Sequence, residues 1–493
     1  MKSEVITKFA QKKLNEYQFN KKLVFYQQYA VPYFGVLSLV AHLKSNAINT
    51  DVIIADLEQA PITILKNLKP DIIGISVLST EHNWLIEQTK AIRQVLPKVI
   101  ILVGGVHAML YPQEIIEEAD VDLVCHSEGE EVLLNILNEF NLPNPDWSKI
   151  SGLAYKNSNG KFCKTERAGL VPYNDNIRED RGIYYQRYPI LATDTVHRFF
   201  SSRGCPYKCS FCYVPNLKEI FKGKGSFVRK KSVNSFISEI VEEATKYSIQ
   251  SIFFYDDLFT ANRKWLKEFL QEYKQKVNIP FMCTTYAKLV NEDVAKMLAE
   301  AGCQTVSYGI ETGNYELRKN ILNKNISNEE IIRCGQLLHK YGMKIQTSNM
   351  FCLPDETLED AFNTIEINIK AKTDFAFSAL FMPFPDQKIT EYCIKNGYLK
   401  QGYSLEDMPY SFLTSSVLML SDKEAIINVH RASFIFIKWP WCYPLLKKFV
   451  RYPIFNWLFK GIFLFSTVMR HKEERNISFW AVLKYAWRMR SSF

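Results

Sequence analysis

No stretch of this 493-residue chain is an uninterrupted apolar run approaching the roughly 20 residues that a helix needs to cross a bilayer. The opening residues, MKSEVITKFAQKKLNEYQ, hold no apolar core of the kind a secretory signal requires, so a cytoplasmic location is expected. Eleven cysteines are an odd number, and eight of them stand singly in apolar or mixed sequence, which excludes a disulfide framework. Acids are scarce where cations gather. Of 61 Lys and Arg and 52 Asp and Glu, 11 and two respectively fall from Lys438 onward, leaving 50 of each in the rest. That tail also holds five of the eight tryptophans, Trp439, Trp441, Trp457, Trp480 and Trp487. Such a composition suits the boundary between apolar and polar phases, although terminal helices packed on the body with solvated cations would read the same way.

What is present describes a globular protein of two or three domains, with 47% hydrophobic and 23% charged residues. In the first 140 residues, strand-like runs KLVFY, TDVIIAD, DIIGISVLS, VIILVGG and VDLVCHS alternate with helical patterns. Strand and helix in alternation predict an α/β fold with a doubly wound parallel sheet over residues 1–150. Such sheets bind ligands beyond the carboxyl ends of their strands. There lie Ser76, Ser79 and Thr80, then Gly104, Gly105 and His107, then Glu128 and Gly129. His107 fits a ligand contact and a hydrogen-bonded loop histidine equally well. Residues 151–190 read as a short hairpin at NSNG followed by a linker. A second series, VHRFFSS, SIFFYDD, PFMCTTYA, TVSYGIE, KIQTSNMFCLP and FAFSALF, predicts six βα units in a partial TIM-like barrel over residues 191–400. A helical basic-aromatic extension follows over 401–493.

Just beyond the first strand of that second series stands SSRGCPYKCSFCYVPN, a C-x3-C-x2-C run at Cys205, Cys209 and Cys212. Structural zinc generally takes four Cys or His ligands in pairs, and no second C-x2-C or H-x3-H completes this one. A redox C-x-x-C leaves the third thiol unexplained. Three thiolates on a four-iron cluster leave one iron open to a small chelating molecule.

The motif, with Phe211 just before its last cysteine, resembles that of the radical S-adenosylmethionine superfamily. The sequences FFYDDLFTAN, GCQTVSYGIETG and FCLPDET fall where the second, fourth and fifth barrel strands of that superfamily end. The resemblance implies a 4Fe-4S cluster on the three cysteines whose open iron is chelated by S-adenosylmethionine. It further implies reductive cleavage to a 5'-deoxyadenosyl radical and an electron donor such as flavodoxin or ferredoxin. Phe211 would contact the adenine, while Asp256, Asp257 and Glu311 would help hold the amino and ribose ends; helix capping or structural pairing is the alternative for these three acids. Residues VGGVHAMLYPQEII and DLVCHSEGEEVLLNIL are similar to the cobalamin-binding domain of one large class of these enzymes.

Two departures carry consequences. No D-x-H-x-x-G is present, so bound cobalamin would lack the histidine ligand that this motif supplies elsewhere. The usual G-x-P-G-E-T reads Cys352-Leu353-Pro354-Asp355-Glu356-Thr357, with both glycines replaced, which questions the local turn more than the chemistry. Together the two resemblances imply a methyltransferase using cobalamin on an unactivated carbon, with a hydrophobic or lipid-like small molecule favoured by the tail. Cyclisation or rearrangement without net methyl transfer is the alternative within the superfamily, and an RNA-modifying factor the alternative outside it. Against RNA, no added RNA-binding module is apparent. Peripheral association with the inner face of a membrane is expected of the tail.

Overall fold

The computed structural model describes residues 21–409 and 411–475. Two compact units divide it: Met1–His197 with Ser202–Gly204 and Asn216–Ile249, and Arg198–Ser201 with Cys205–Pro215 and Gln250–Phe493.

The first unit is built on a seven-stranded sheet. Its strands are β1 (Leu23–Gln27), β2 (Thr50–Ile54), β3 (Ile72–Ser76), β4 (Ile100–Gly104), β5 (Leu123–Cys125), β6 (Leu153–Lys156) and β7 (Phe162–Lys164), in the order β2-β1-β3-β4-β5-β6-β7. The first five pair in parallel. Every residue of β1 is buried, as a strand covered on both faces requires. One apolar layer gathers Leu23, Phe25, Val52 and Leu102, the other Val24, Tyr26, Ile73 and Val103, following the alternation of side chains across the sheet. The order reverses between β1 and β3, which makes the carboxyl ends there the natural ligand crevice. The hairpin expected at NSNG is present as β6 and β7, but it is not separate from the sheet: it pairs with β5 and forms the sheet's antiparallel edge. A hairpin too small to bury its own apolar face gains that burial by pairing with β5.

A short antiparallel ribbon also belongs to this unit: β9 (Ser202–Arg203) against β10 (Arg229–Lys230), with Arg203 opposite Arg229. Like charges directly opposite one another repel. Glu128 and Glu130 neutralise them: Arg229 donates to both oxygens of Glu128 at 2.5 and 2.6 Å, and Arg203 donates to Glu130 at 2.5 Å. Burial opposes ionisation of Glu130, but Arg203 outweighs it and holds the carboxyl below its ordinary range.

The second unit carries a curled half-barrel sheet, β15-β14-β13-β12-β11-β8, made of β8 (Val196–Phe199), β11 (Ser251–Phe254), β12 (Phe281–Thr285), β13 (Cys303–Glu311), β14 (Lys344–Phe351) and β15 (Phe375–Leu380). From β11 onward neighbours pair in parallel. Phe254 and Phe281 pack on Tyr273 of the helix Arg263–Lys276, so the alternate residues Phe253 and Met282 face the inside of the curl. The helix Lys423–Lys438 closes the outer side of β15 with twelve buried residues and draws Cys442, Val450 and Phe459 into the same core. The expected extension is therefore part body and part surface: Trp441 and Trp457 are exposed, while Trp480 and Trp487 lie outside the described residues.

The turn questioned by its missing glycines is intact. Cys352 and Asp355 adopt φ of 58° and 62°, the left-handed conformation that glycine takes most readily. Asp355 is held there by hydrogen bonds from the hydroxyls of Tyr392 and Tyr398. Its neighbour Glu356 is buried and accepts from the Leu353 amide at 3.0 Å, and desolvation pushes its carboxyl up to about 8. The native chain thus holds this proton to about pH 8, whereas an unfolded glutamate releases it near the ordinary value of about 4.3. Between those values the folded state binds more protons, so this residue's contribution to stability falls as pH rises. Glu356→Gln is expected to flatten the difference between urea midpoints at pH 6 and pH 9, gaining on the order of 2 kcal/mol at pH 9. An unchanged difference would refute the assignment.

Candidate functional site

Cys205, Cys209 and Cys212 lie half-buried on the loop that follows β9. Gly204 starts it at φ 83°, where a Cβ would stand 2.5 Å from the Phe227 carbonyl, so only glycine fits. Further along, the loop is pinned within the second unit. The Ser210 amide donates to Leu322 O at 3.0 Å, its hydroxyl to Ile321 O at 2.5 Å, and Asn323 Nδ2 to Lys208 O at 2.7 Å. Phe211 packs against the apolar cluster that includes Leu322 and Leu353. Burial pushes the Cys209 thiol up to about 11 and that of Cys212 to about 12. Thiols so placed become thiolates only against added positive charge, which is what iron supplies. Among the described residues no three His, Cys, Asp or Glu side chains converge as ligands of one ion would. A four-iron cluster takes each thiolate at a different iron and needs no such convergence.

Three strand ends face this loop. Beyond β11, Asp256 is buried, accepting from the Ser201 amide at 3.1 Å and its hydroxyl at 2.6 Å. Asp257 beside it is exposed and acts electrostatically on Cys212. At the end of β13, Glu311 takes φ 67°, uncommon for a side chain of its size, and its carboxylate receives Lys324 Nζ at 2.7 Å. Both charges act on Cys209. Lys324 also lies 5.4 Å from the ring of Tyr286, which stacks at 4.2 Å on Tyr207, a residue of the cysteine loop. Gly309 makes the arrangement possible: a Cβ there would stand 1.8 Å from Glu311 Oε1. A π-helical turn, Leu317–Ile321, buries Arg318, which donates to the carbonyls of Thr312 and Ile326 and thereby fixes the chain after Glu311.

Sequence reasoning named Phe211, Asp256, Asp257 and Glu311 but missed Ser201, Tyr207, Tyr286, Arg318 and Lys324. Tyr207 and Tyr286 carried a signal, one inside the cysteine run and the other just past a strand. Lys324 carried none, since its role depends on the fold of the irregular turn before it.

In the first unit, Ser76, Ser79, Thr80, Gly104, Gly105 and His107 gather at the adjacent ends of β3 and β4. The His107 ring is buried and bonded to Ser79 Oγ at 3.1 Å and to His82 at 3.0 Å, and His82 is bonded to Glu118 at 2.8 Å. Burial, then His82, push His107 down to about 3, so it stays neutral. Both of its ring nitrogens thus have partners within the protein. Glu128 is filled by its arginine and by the Val171 amide, and a Cβ on Gly129 would meet Leu39 at 2.9 Å. Gly105 has φ 95° and a Cβ there would stand 2.7 Å from Val77 O, while nothing lies within 4 Å of one on Gly104. Gly105 makes the turn; Gly104 leaves room.

Residues 199–367 match the radical SAM superfamily, and residues 23–137 match the B12 binding domain. The chain belongs to the cobalamin-binding radical SAM enzymes. An uncharacterised methyltransferase of Pyrococcus horikoshii is 28% identical over 345 residues, covering 68% of this chain and 72% of that protein. An anaerobic magnesium-protoporphyrin IX monomethyl ester cyclase of Rubrivivax gelatinosus is 27% identical over 367 residues, covering 71% and 64%. The fold is that of the radical S-adenosylmethionine methyltransferase TsrM from Kitasatospora setae, with a TM-score of 0.63, 18% identity and 76% of each chain covered.

The cofactors of this radical SAM enzyme are a 4Fe-4S cluster, S-adenosylmethionine and cobalamin. The residues present fit them: three thiols without a fourth, polar strand ends around them, and an open cradle at Gly104. Gly104→Leu is accordingly expected to fold, to keep its iron and to lose most of its cobalamin on reconstitution. Gly105→Leu is expected to lose stability first, because its Cβ meets backbone. Cobalamin per chain, read by absorbance, checks both; full loading of Gly104→Leu would place the corrin elsewhere.

Proposed function

We propose that this enzyme transfers a methyl group to an unactivated carbon of a hydrophobic, lipid-like small molecule. The observation that carries the substrate reading is the inner face of the curled sheet. The alternation that turns Phe254, Phe281, Phe351 and Leu380 outward turns Phe253, Met282, Thr284, Ser348, Met350 and Phe377 inward, together with the polar Arg198 of β8 and Gln346 of β14. Aromatic and thioether groups with a few polar ones among them bind a largely apolar molecule and orient it at one or two points. With its cofactors bound, one S-adenosylmethionine would supply the methyl group through cobalamin and a second the radical that abstracts hydrogen. The chain's own work is placement. The cysteine loop holds the cluster, Glu311 is kept in position by Lys324 and Gly309, and the inner face orients substrate while excluding water. No protein acid or base is required for the abstraction itself.

A low-potential flavodoxin or ferredoxin would supply the electron, and peripheral membrane association would give access to a lipid-soluble substrate. The relative from Rubrivivax favours a second reading, a cyclisation without net methyl transfer. Anaerobic turnover with methyl-deuterated S-adenosylmethionine separates the two. The expected product, in extracts of a strain lacking the gene, gains one labelled methyl group for each deoxyadenosine formed. Deoxyadenosine accompanied by an unlabelled, dehydrogenated product would establish the cyclase reading instead.

A further inference from the structure

The surface beyond Lys438 is apolar where a packed helix is ordinarily polar. The helix Asn456–Arg475 buries Phe459 and Ser466 toward the body, while its outward positions are Trp457, Lys460, Gly461 and Leu464, spaced i, i+3, i+4 and i+7 along one stripe. The segment before it adds Trp441, Leu445, Tyr452 and Ile454; Trp441, Ile454 and Trp457 are 80%, 73% and 71% exposed. Side chains of this size in one continuous segment mark an interaction surface. The charged groups interleaved with them are of one sign: Lys448, Arg451 and Lys460 are exposed, and no Asp or Glu occurs between Trp439 and Lys472.

We infer that this face docks the enzyme on an anionic lipid bilayer, with Trp441, Ile454, Trp457 and Leu464 entering the headgroup region and Lys448, Arg451 and Lys460 meeting the lipid phosphates. Tryptophan and tyrosine favour that boundary because their rings are apolar and their N–H and O–H groups polar. Each cation near an anionic surface adds on the order of 1 kcal/mol, so three of them contribute about a hundredfold in affinity. A second copy of the chain fits less well, since pairing this face with itself sets cation against cation. No helix among the described residues is long and apolar enough to cross a membrane, and insertion along the surface needs none.

Because Phe459 and Val450 belong to the core, deleting the tail would confuse docking with folding, and point variants are needed. The full chain is floated with phosphatidylglycerol-containing vesicles and with pure phosphatidylcholine vesicles, at low and high salt. Recovery with the anionic vesicles alone, decreasing with salt and accompanied by a blue shift of tryptophan fluorescence, is expected. W441A/I454D/W457A should reduce vesicle affinity at least tenfold with an unchanged melting temperature, and K448E/R451E/K460E should remove the preference for anionic lipid. Lack of flotation at low salt overturns the proposal. So does equal flotation of wild type and both variants, or self-association in lipid-free buffer that W441A/I454D/W457A abolishes. The binding readout involves no turnover, so it stands or falls independently of methyl transfer.

Discussion

Cys205→Ala, Cys209→Ala and Cys212→Ala proteins are each expected to fold and yet to form no detectable 5'-deoxyadenosine from S-adenosylmethionine, a loss of at least a thousandfold. On the proposed assignment the three thiols are the whole of the protein's hold on the cluster, so removing one would leave two iron sites without a protein ligand. Folding should survive, because the loop is anchored by the main-chain and hydroxyl bonds of Ser210 and by the side-chain amide of Asn323, which none of the three substitutions touches. Iron and sulfide content and the electron paramagnetic resonance of the reduced protein read the cluster directly. Cys334→Ala is the control. That thiol is fully buried in the helix Asn328–Lys340, and its removal should lower stability by about 1–2 kcal/mol through lost packing while iron per chain stays unchanged. Reductive cleavage by a protein lacking all three cysteines would remove the basis of the whole mechanism.

The fold was legible in the sequence wherever burial imposes a period. β1, β3 and β4 read as short apolar runs because both faces are covered, and β12 to β15 read through their alternation. The edge strands β6 and β7 read as a hairpin through their NSNG turn, but their place in the sheet did not read, since pairing with β5 decides it and leaves no local signal. The cysteine triad was visible as spacing, and Asp256 and Glu311 as polar residues ending apolar strands. Lys324 and Arg318 were not, because an irregular turn brings them back under β13 from more than a dozen and seven residues downstream respectively. Glu128 shows the converse limit. It stands at a strand end as a ligand contact would, but the arginine opposite Arg203 in the β9–β10 ribbon occupies both its oxygens, and such a pairing between residues 101 apart has no local signature.

Gly309→Ala is expected to reduce reductive cleavage of S-adenosylmethionine at least a hundredfold while the cluster is retained. One methyl group added at that position would lie 1.8 Å from Glu311 Oε1 and 2.6 Å from Lys324 Nζ, so the carboxylate and ammonium cannot keep their places. The backbone has little freedom to yield, because β13 is paired on both sides, to β12 and to β14. The carboxylate and ammonium must therefore shift, and their charges lose the positions from which they act on Cys209. Direct removal of Glu311 is a harsher test, since it leaves Lys324 buried without its counter-ion, a change that costs about 3–5 kcal/mol in buried pairs. Lys324→Met with Glu311→Gln removes both charges and should restore stability without restoring cleavage. The spectral change of the reduced cluster on adding S-adenosylmethionine isolates the binding step. That change should be weakened in Gly309→Ala and in the double variant, whereas iron per chain and melting temperature should remain near wild type in the double variant. A normal spectral response with a wild-type cleavage rate in Gly309→Ala would show that the Glu311 carboxylate has no part in holding the substrate of the cluster.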